Sequence, residues 1–155
     1  MGGVNAMLSN LLTRYKILAV KRGLTLGALK DASPAEFRLL VCSATLAVPR
    51  DQNFSEREFN EILRNWLASA GAMLAIDHVE LRRWLVDLGL VVRDRAGSRY
   101  SRGELTPAYT ATARELAGID LGQAATDAIE DDKTQRAQRK ARWLDQRKNG
   151  DAQAQ

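Results

Sequence analysis

One cysteine and one histidine are all that the 155-residue chain has of two residue types that most often carry chemistry, and three prolines are all that interrupt it. Cys42 cannot form an internal disulfide, and within Leu39-Leu40-Val41-Cys42 it reads as a small buried hydrophobe rather than a nucleophile. His78 has Asp77 and Glu80 nearby but no second histidine and no cysteine, so the residues do not make up a zinc or catalytic-metal set, and no metal or other cofactor is expected. Ser43 and Ser69 lack a histidine at a motif spacing and no nucleophile elbow surrounds them. No Walker motif or dinucleotide fingerprint occurs, because Gly2-Gly3 lacks the strand and helix context. These absences speak against an enzyme. No stretch approaches the roughly 18 apolar residues of a membrane span, and the N-terminus lacks the pattern of a secretory signal, so a cytoplasmic protein with no membrane partner is expected.

What is present is ordinary globular material. The apolar fraction of 45% and the charged fraction of 27% suit one compact domain with appendages. Asn5 offers an N-cap, and Met7, Leu8, Leu11, Leu12, Tyr15 and Leu18 follow at helical spacing until Lys21-Arg22-Gly23, which predicts a helix over about 6–22. Ser33-Pro34 starts a second helix over about 34–47, stopped by Pro49. Ser55 and Glu58 form a capping box, with Phe54 and Phe59 placed for a hydrophobic staple, and Phe59, Ile62, Leu63, Trp66 and Leu67 mark one buried face. Gly71 breaks the pattern across 68–76. Asp77 then caps a further helix with Leu81, Trp84, Leu85 and Leu88 inward and Gly89 as its stop. Val91-Val92-Arg93 and Arg99-Tyr100-Ser101-Arg102 flank a glycine turn and read as a hairpin. Thr106-Pro107 opens a short helix that ends at Gly118, and Asp120 caps a last helical segment. No internal repeat is found.

Three helices, a short break between the second and third, and then a hairpin make up the winged helix-turn-helix order. The fold expected is mostly α, with a winged helix-turn-helix core, a small β-hairpin wing, and N- and C-terminal helical extensions. The divisions are an N-terminal helical extension (1–33), the winged-helix domain (34–105), C-terminal helices (106–132) and a basic polar helix or tail (133–155). On the third helix Arg83 lies nearly opposite the apolar stripe and Arg82 at its flank, and the hairpin adds Arg93, Arg95, Arg99 and Arg102. Guanidinium forks on both elements suit phosphate and guanine edges. The competing reading is a solvated face, with Arg82 and Arg83 paired to Glu80 and Asp87, or one of the two reaching back to Glu58 or Glu61.

The run from Phe54 to Leu63, then Asp77, Leu81-Arg82-Arg83-Trp84-Leu85-Val86-Asp87-Leu88-Gly89-Leu90-Val91, Arg93 and Tyr100 resembles the bacterial domain of unknown function 2087. Its pattern is an aromatic residue, Ser or Thr, and Glu, then Glu, an apolar residue and Asn, an Ile-Leu pair, and later Asp, Leu-Arg-Arg, Leu-Val-Asp, Gly-Leu, Arg and Tyr. The resemblance covers about 34–102 and departs in its longer break, Ala68 to Ile76. It implies a transcription-related role, because such domains occur alone or attached to helix-turn-helix regulators, and it brings no biochemical activity with it. Within the motif, Asn60 and Asp77 read as residues that cap or bond across a turn.

Past Asp127, Glu130, Asp131 and Asp132 the chain turns basic, with Lys133, Arg136, Arg139, Lys140, Arg142, Arg147 and Lys148 opposed by Asp145 alone. Apolar residues nearly vanish there except Trp143 and Leu144, so this segment either projects as a solvated helix or orders on an acidic partner. Residues 82–102 carry a net +4 and residues 133–148 a net +6, which leaves −6 for the rest of a chain whose total is +4. The expected function is regulatory nucleic-acid binding, with DNA favoured over RNA. His78, Arg82 and Arg83 would approach a groove, Arg93, Arg95, Arg99 and Arg102 would fix the backbone, and Arg136, Arg139, Lys140 and Arg142 would add sequence-independent affinity. The alternative is an adaptor whose winged core and basic C-terminal helix dock on polymerase, ribosome or another protein. The leucine-rich N-terminal helix is compatible with a homodimer.

Overall fold

The computed structural model describes residues 2–153. The chain runs α1 (Gly2–Ala19), α2 (Leu26–Ala32), α3 (Pro34–Leu46), β1 (Phe54–Ser55), α4 (Glu56–Leu67), α5 (His78–Asp87), β2 (Val91–Arg93), β3 (Arg99–Arg102), α6 (Pro107–Leu116) and α7 (Leu121–Gln153). It is mostly helical, with one small antiparallel sheet in the order β1-β3-β2. From α3 to β3 the chain has three helices followed by a hairpin, with β1 between the first two helices joining the sheet. Among the described residues, no helix is long and apolar enough to cross a membrane.

The capping chemistry is visible in the contacts. The Ser55 hydroxyl accepts from the Glu58 N–H at 3.2 Å while a Glu58 carboxylate oxygen accepts from the Ser55 N–H at 3.0 Å, so both halves of the capping box form. Asp77 accepts from the Glu80 N–H at 2.8 Å and Asp120 from the Gln123 N–H at 3.0 Å, each fixing a helix start. Ser33 and Thr106 occupy N-cap positions before their prolines without a side-chain cap bond. At the end of α1, Arg22 donates to the Ala19 and Lys21 carbonyls and Gly23 takes φ +78°.

Four local expectations need correction. Asn5 is not a cap, because α1 begins at Gly2 and includes it, and α1 stops at Ala19 rather than near 22; the side chains of Met7 and Leu8 lie outside the described residues. Residues 26–32, which carried no helical reading, form α2, capped by the Thr25 hydroxyl at 3.3 Å from the Ala28 N–H. Phe54 and Ser55 are strand as well as cap, paired with Tyr100 and Arg99. The break at 68–76 is a pinned turn: Leu24 N–H donates to Met73 O at 3.0 Å, Ala75 N–H donates to Leu24 O at 2.8 Å, and Tyr15 Oη donates to Ala70 O at 2.8 Å.

Gly71 is needed in that turn, because the Trp66 ring covers its Cα and leaves no room for a Cβ. Trp66 in turn donates from Nε1 to Ser43 Oγ at 2.9 Å, which ties α4 to α3. One continuous core results. Phe37, Leu40, Phe59, Leu63, Leu81, Leu85 and Tyr100 lie in it together with Tyr15 and Leu18 of α1 and with Leu121, Ala124, Ala125 and Ala128 of α7. The terminal helices are therefore part of the packed body, and Leu11, Leu12 and Leu18 turn into it.

Candidate nucleic-acid interface

The pleat divides the arginines of the hairpin. Side chains alternate along a strand, and directly paired residues share a face. The pairings Arg93↔Tyr100, Val91↔Arg102 and Phe54↔Tyr100 put Arg93 and Arg102 on the face of Tyr100, which is buried and stacked on Phe59 at 4.8 Å between ring centroids. Val92, Arg99 and Ser101 lie on the other face, where Val92 is 51% exposed.

Arg102 does not face a ligand at the wing. Its Nε donates to Val48 O at 2.9 Å and its Nη2 donates to Leu46 O at 3.2 Å and again to Val48 O. It closes the carbonyl end of α3, where Pro49 rules out helical continuation. Burial, reinforced by the neighbouring Arg50, lowers its pKa.

Arg82 is likewise turned inward. It donates to Glu56 Oε1 and to Asn60 Oδ1, each at 3.0 Å, and lies over the Tyr100 ring at 5.6 Å from the centroid, with only 20% of its side chain exposed. Its carboxylate partner is thus Glu56, not Glu58, Glu61, Glu80 or Asp87. The Leu-Arg-Arg motif and the Asn of the preceding helix form one brace between α5 and α4. His78 is half-buried, with Nε2 at 3.4 Å from Arg64 Nη2.

The outward face of α5 therefore carries Val79, Glu80, Arg83 and Asp87, one cation against two carboxylates. Arg83 and Arg95 are exposed and have no hydrogen bond or ion pair among the described residues. Arg99 is exposed and near enough to Glu58 to help lower the pKa of that carboxyl, whose main cause is its hydrogen bonds from Ser55. Arg93 folds its guanidinium over Gly97, which takes φ +71° in the turn. Asp94 organises that turn by accepting from the Ser98 and Arg99 N–H groups at 2.8 and 3.2 Å, and these bonds, led by the one from Ser98, hold its carboxyl below the usual range.

The largest assembly of cations is on α7. After Ala128 the helix leaves the body, and every residue from Lys133 to Asp151 is exposed, about 30 Å of helix at 1.5 Å per residue. At about 100° per residue, Lys133, Arg136, Arg139, Lys140, Trp143 and Arg147 fall within a sector of about 120°. Arg142 and Lys148 lie outside it. Trp143 is 55% exposed near the middle of this stripe, with the Arg147 guanidinium 5.3 Å from its ring centroid. Within the stripe Arg136 is paired to Asp132 at 2.9 Å and Arg139 touches its own helix backbone at 3.4 Å. The gathering of these cations on one side was not evident from the net charge of the segment; the spacing 133, 136, 140, 147 with 139, 143, 147 is the signal that carries it.

A helix-helix-hairpin body of this kind, with a projecting basic helix, defines a small mostly α domain. Residues 37–102 match the model of the family described as "Uncharacterized protein conserved in bacteria (DUF2087)", the family that the sequence resembles over this segment. No curated protein and no solved structure matches the chain.

Proposed function

We propose that the protein is a non-enzymatic nucleic-acid-binding protein with a regulatory role, in which the exposed end of α7 supplies most of the phosphate contacts. The observation that carries this reading is the one-sided basic stripe around Trp143. An α-helix fits the major groove of duplex DNA, and cations along one face neutralise phosphates and release counterions. Arg83, Arg95 and Arg99 are available to add contacts from α5 and the wing. Arg82 and Arg102 have no part in this reading, because their side chains are bonded to Glu56 and Asn60 and to the end of α3.

Anisotropy of a labelled DNA duplex and of a single-stranded RNA, titrated with protein at several salt concentrations, tests this. Reversing Arg139, Lys140 and Arg147 to Glu should weaken binding and flatten the salt slope by about 2 to 3 units, at about 0.9 per phosphate contact in B-DNA. Charge reversal at Arg83, Arg95 and Arg99 should have a smaller effect. Absence of binding to either nucleic acid at low salt overturns the proposal. It would leave the adaptor reading, which is favoured by a different observation: the exposed face of α5 is net acidic and carries an exposed Val79, a surface better matched to protein than to phosphate.

A further inference from the structure

A cleft of about 690 Å³ opens between the α3–β1 loop, the end of β3 and α6. Its polar wall is formed by Arg50, Asp51, Arg102, Glu104, Thr110 and Arg114. Three guanidiniums thus meet two carboxylates in one cavity, yet no ion pair joins them, and the side chains of Arg50 and Arg114 make no hydrogen bond or ion pair among the described residues. Arg102 has its Nε and Nη2 committed to carbonyls at and just past the end of α3, which fixes the plane of its guanidinium, and the charges of both Arg50 and Asp51 reach it. Asp51 is the only non-glycine with positive φ among the described residues, at +57°, so the rim of the cleft is held in a conformation that most residues avoid.

We infer that this cleft binds a small organic or inorganic anion bearing at least two negative charges, held by Arg50 and Arg114 against the fixed guanidinium of Arg102. The uncommitted forks of Arg50 and Arg114, with the Nη1 that Arg102 leaves free, suit the paired oxygens of phosphate or carboxylate groups, and such charge-assisted bonds are the strong ones. The volume falls within the range of small-molecule sites. Glu104 and Asp51 restrict the anion to the arginine side and leave acceptors for a hydroxyl or amine on the rest of the molecule. The bound anion would bridge the end of β3 to α6, and so the hairpin to the segment that leads into α7. This site is separate from the basic stripe and does not depend on the nucleic-acid reading.

Isothermal titration with pyrophosphate and with citrate tests the inference and separates phosphate from carboxylate chemistry. Saturable binding of either probe is expected, weakened about tenfold or more in R50Q/R114Q and unchanged in R139E/K140E/R147E. Arg50 and Arg114 have no internal partners, so an unchanged melting temperature should show the double variant folded; R50Q and R114Q alone serve if it is not. The inference is overturned if neither probe binds, if binding survives in R50Q/R114Q, or if it is lost in the α7 variant, which would place the anion on the basic helix.

Discussion

Two arginines of the hairpin differ more in what they do than any sequence property distinguishes. Arg102 spans 54 residues of sequence to bond Val48 O and 56 to bond Leu46 O, satisfying carbonyls that the end of α3 leaves open. Arg95 stands exposed with no partner among the described residues. Hydrogen bonds from a charged group contribute about 1.5–3 kcal/mol, whereas exposed polar substitutions fall within about 0.5 kcal/mol. Arg102→Ala should therefore destabilise the protein by about 2 kcal/mol or more in urea unfolding, and Arg95→Ala should leave the midpoint nearly unmoved. Equal effects from the two would contradict the assigned roles. Arg82 belongs with Arg102, since its partners Glu56 and Asn60 come from another helix and not from the neighbouring turn of its own.

At the scale of elements, the hairpin turn is a charge-dependent structure. Asp94 accepts from Ser98 and Arg99 as a carboxylate, and its pKa is depressed in the folded chain. A depressed folded-state pKa means that the stabilisation is present above the unfolded value of about 3.9 and disappears as pH falls through the folded one. The amide resonances of Ser98 and Arg99 should thus keep their folded shifts down to about pH 4 and move below it, ahead of the core resonances. In Asp94→Asn the step should be absent, and a turn that titrates identically in the variant would refute the assignment. The elements with their own caps were legible: Ser55 with Glu58, Asp77 and Gly89 bound α4 and α5 by bonds made within three or four residues. α2 was not, since seven residues give too short a periodic signal, and neither was β1, whose two residues are strand only because Tyr100 lies beside them. The candidate site was less legible than the fold. The residue types were found, but the orientation of Arg82 and Arg102 depends on packing partners distant in sequence.

For the whole molecule, α7 is two devices in one helix. Its first turns bury Leu121, Ala124, Ala125 and Ala128 in the core that contains Tyr15 and Leu18, and α1 and α7 pack against each other. From Lys133 to Asp151 its side chains are all exposed. Residues 133–155 carry seven cations and two aspartates, a net +5, so the chain ending at Asp132 has a net charge of −1. Cutting after Asp132 should leave the melting temperature within about 2 °C of the full chain, because the side chains removed are, among the described residues, all exposed. Cutting after Ile119 instead removes four buried side chains, of which leucine alone contributes about 1.5–3 kcal/mol, and should lower it by several degrees. Affinity for duplex DNA should be lost in the first truncation even though the fold is kept. A body that still bound DNA with full affinity and salt dependence after that cut would move the interface to Arg83, Arg95 and Arg99. A body that unfolded would show that the exposed part of α7 supports the core through contacts that its burial does not reveal.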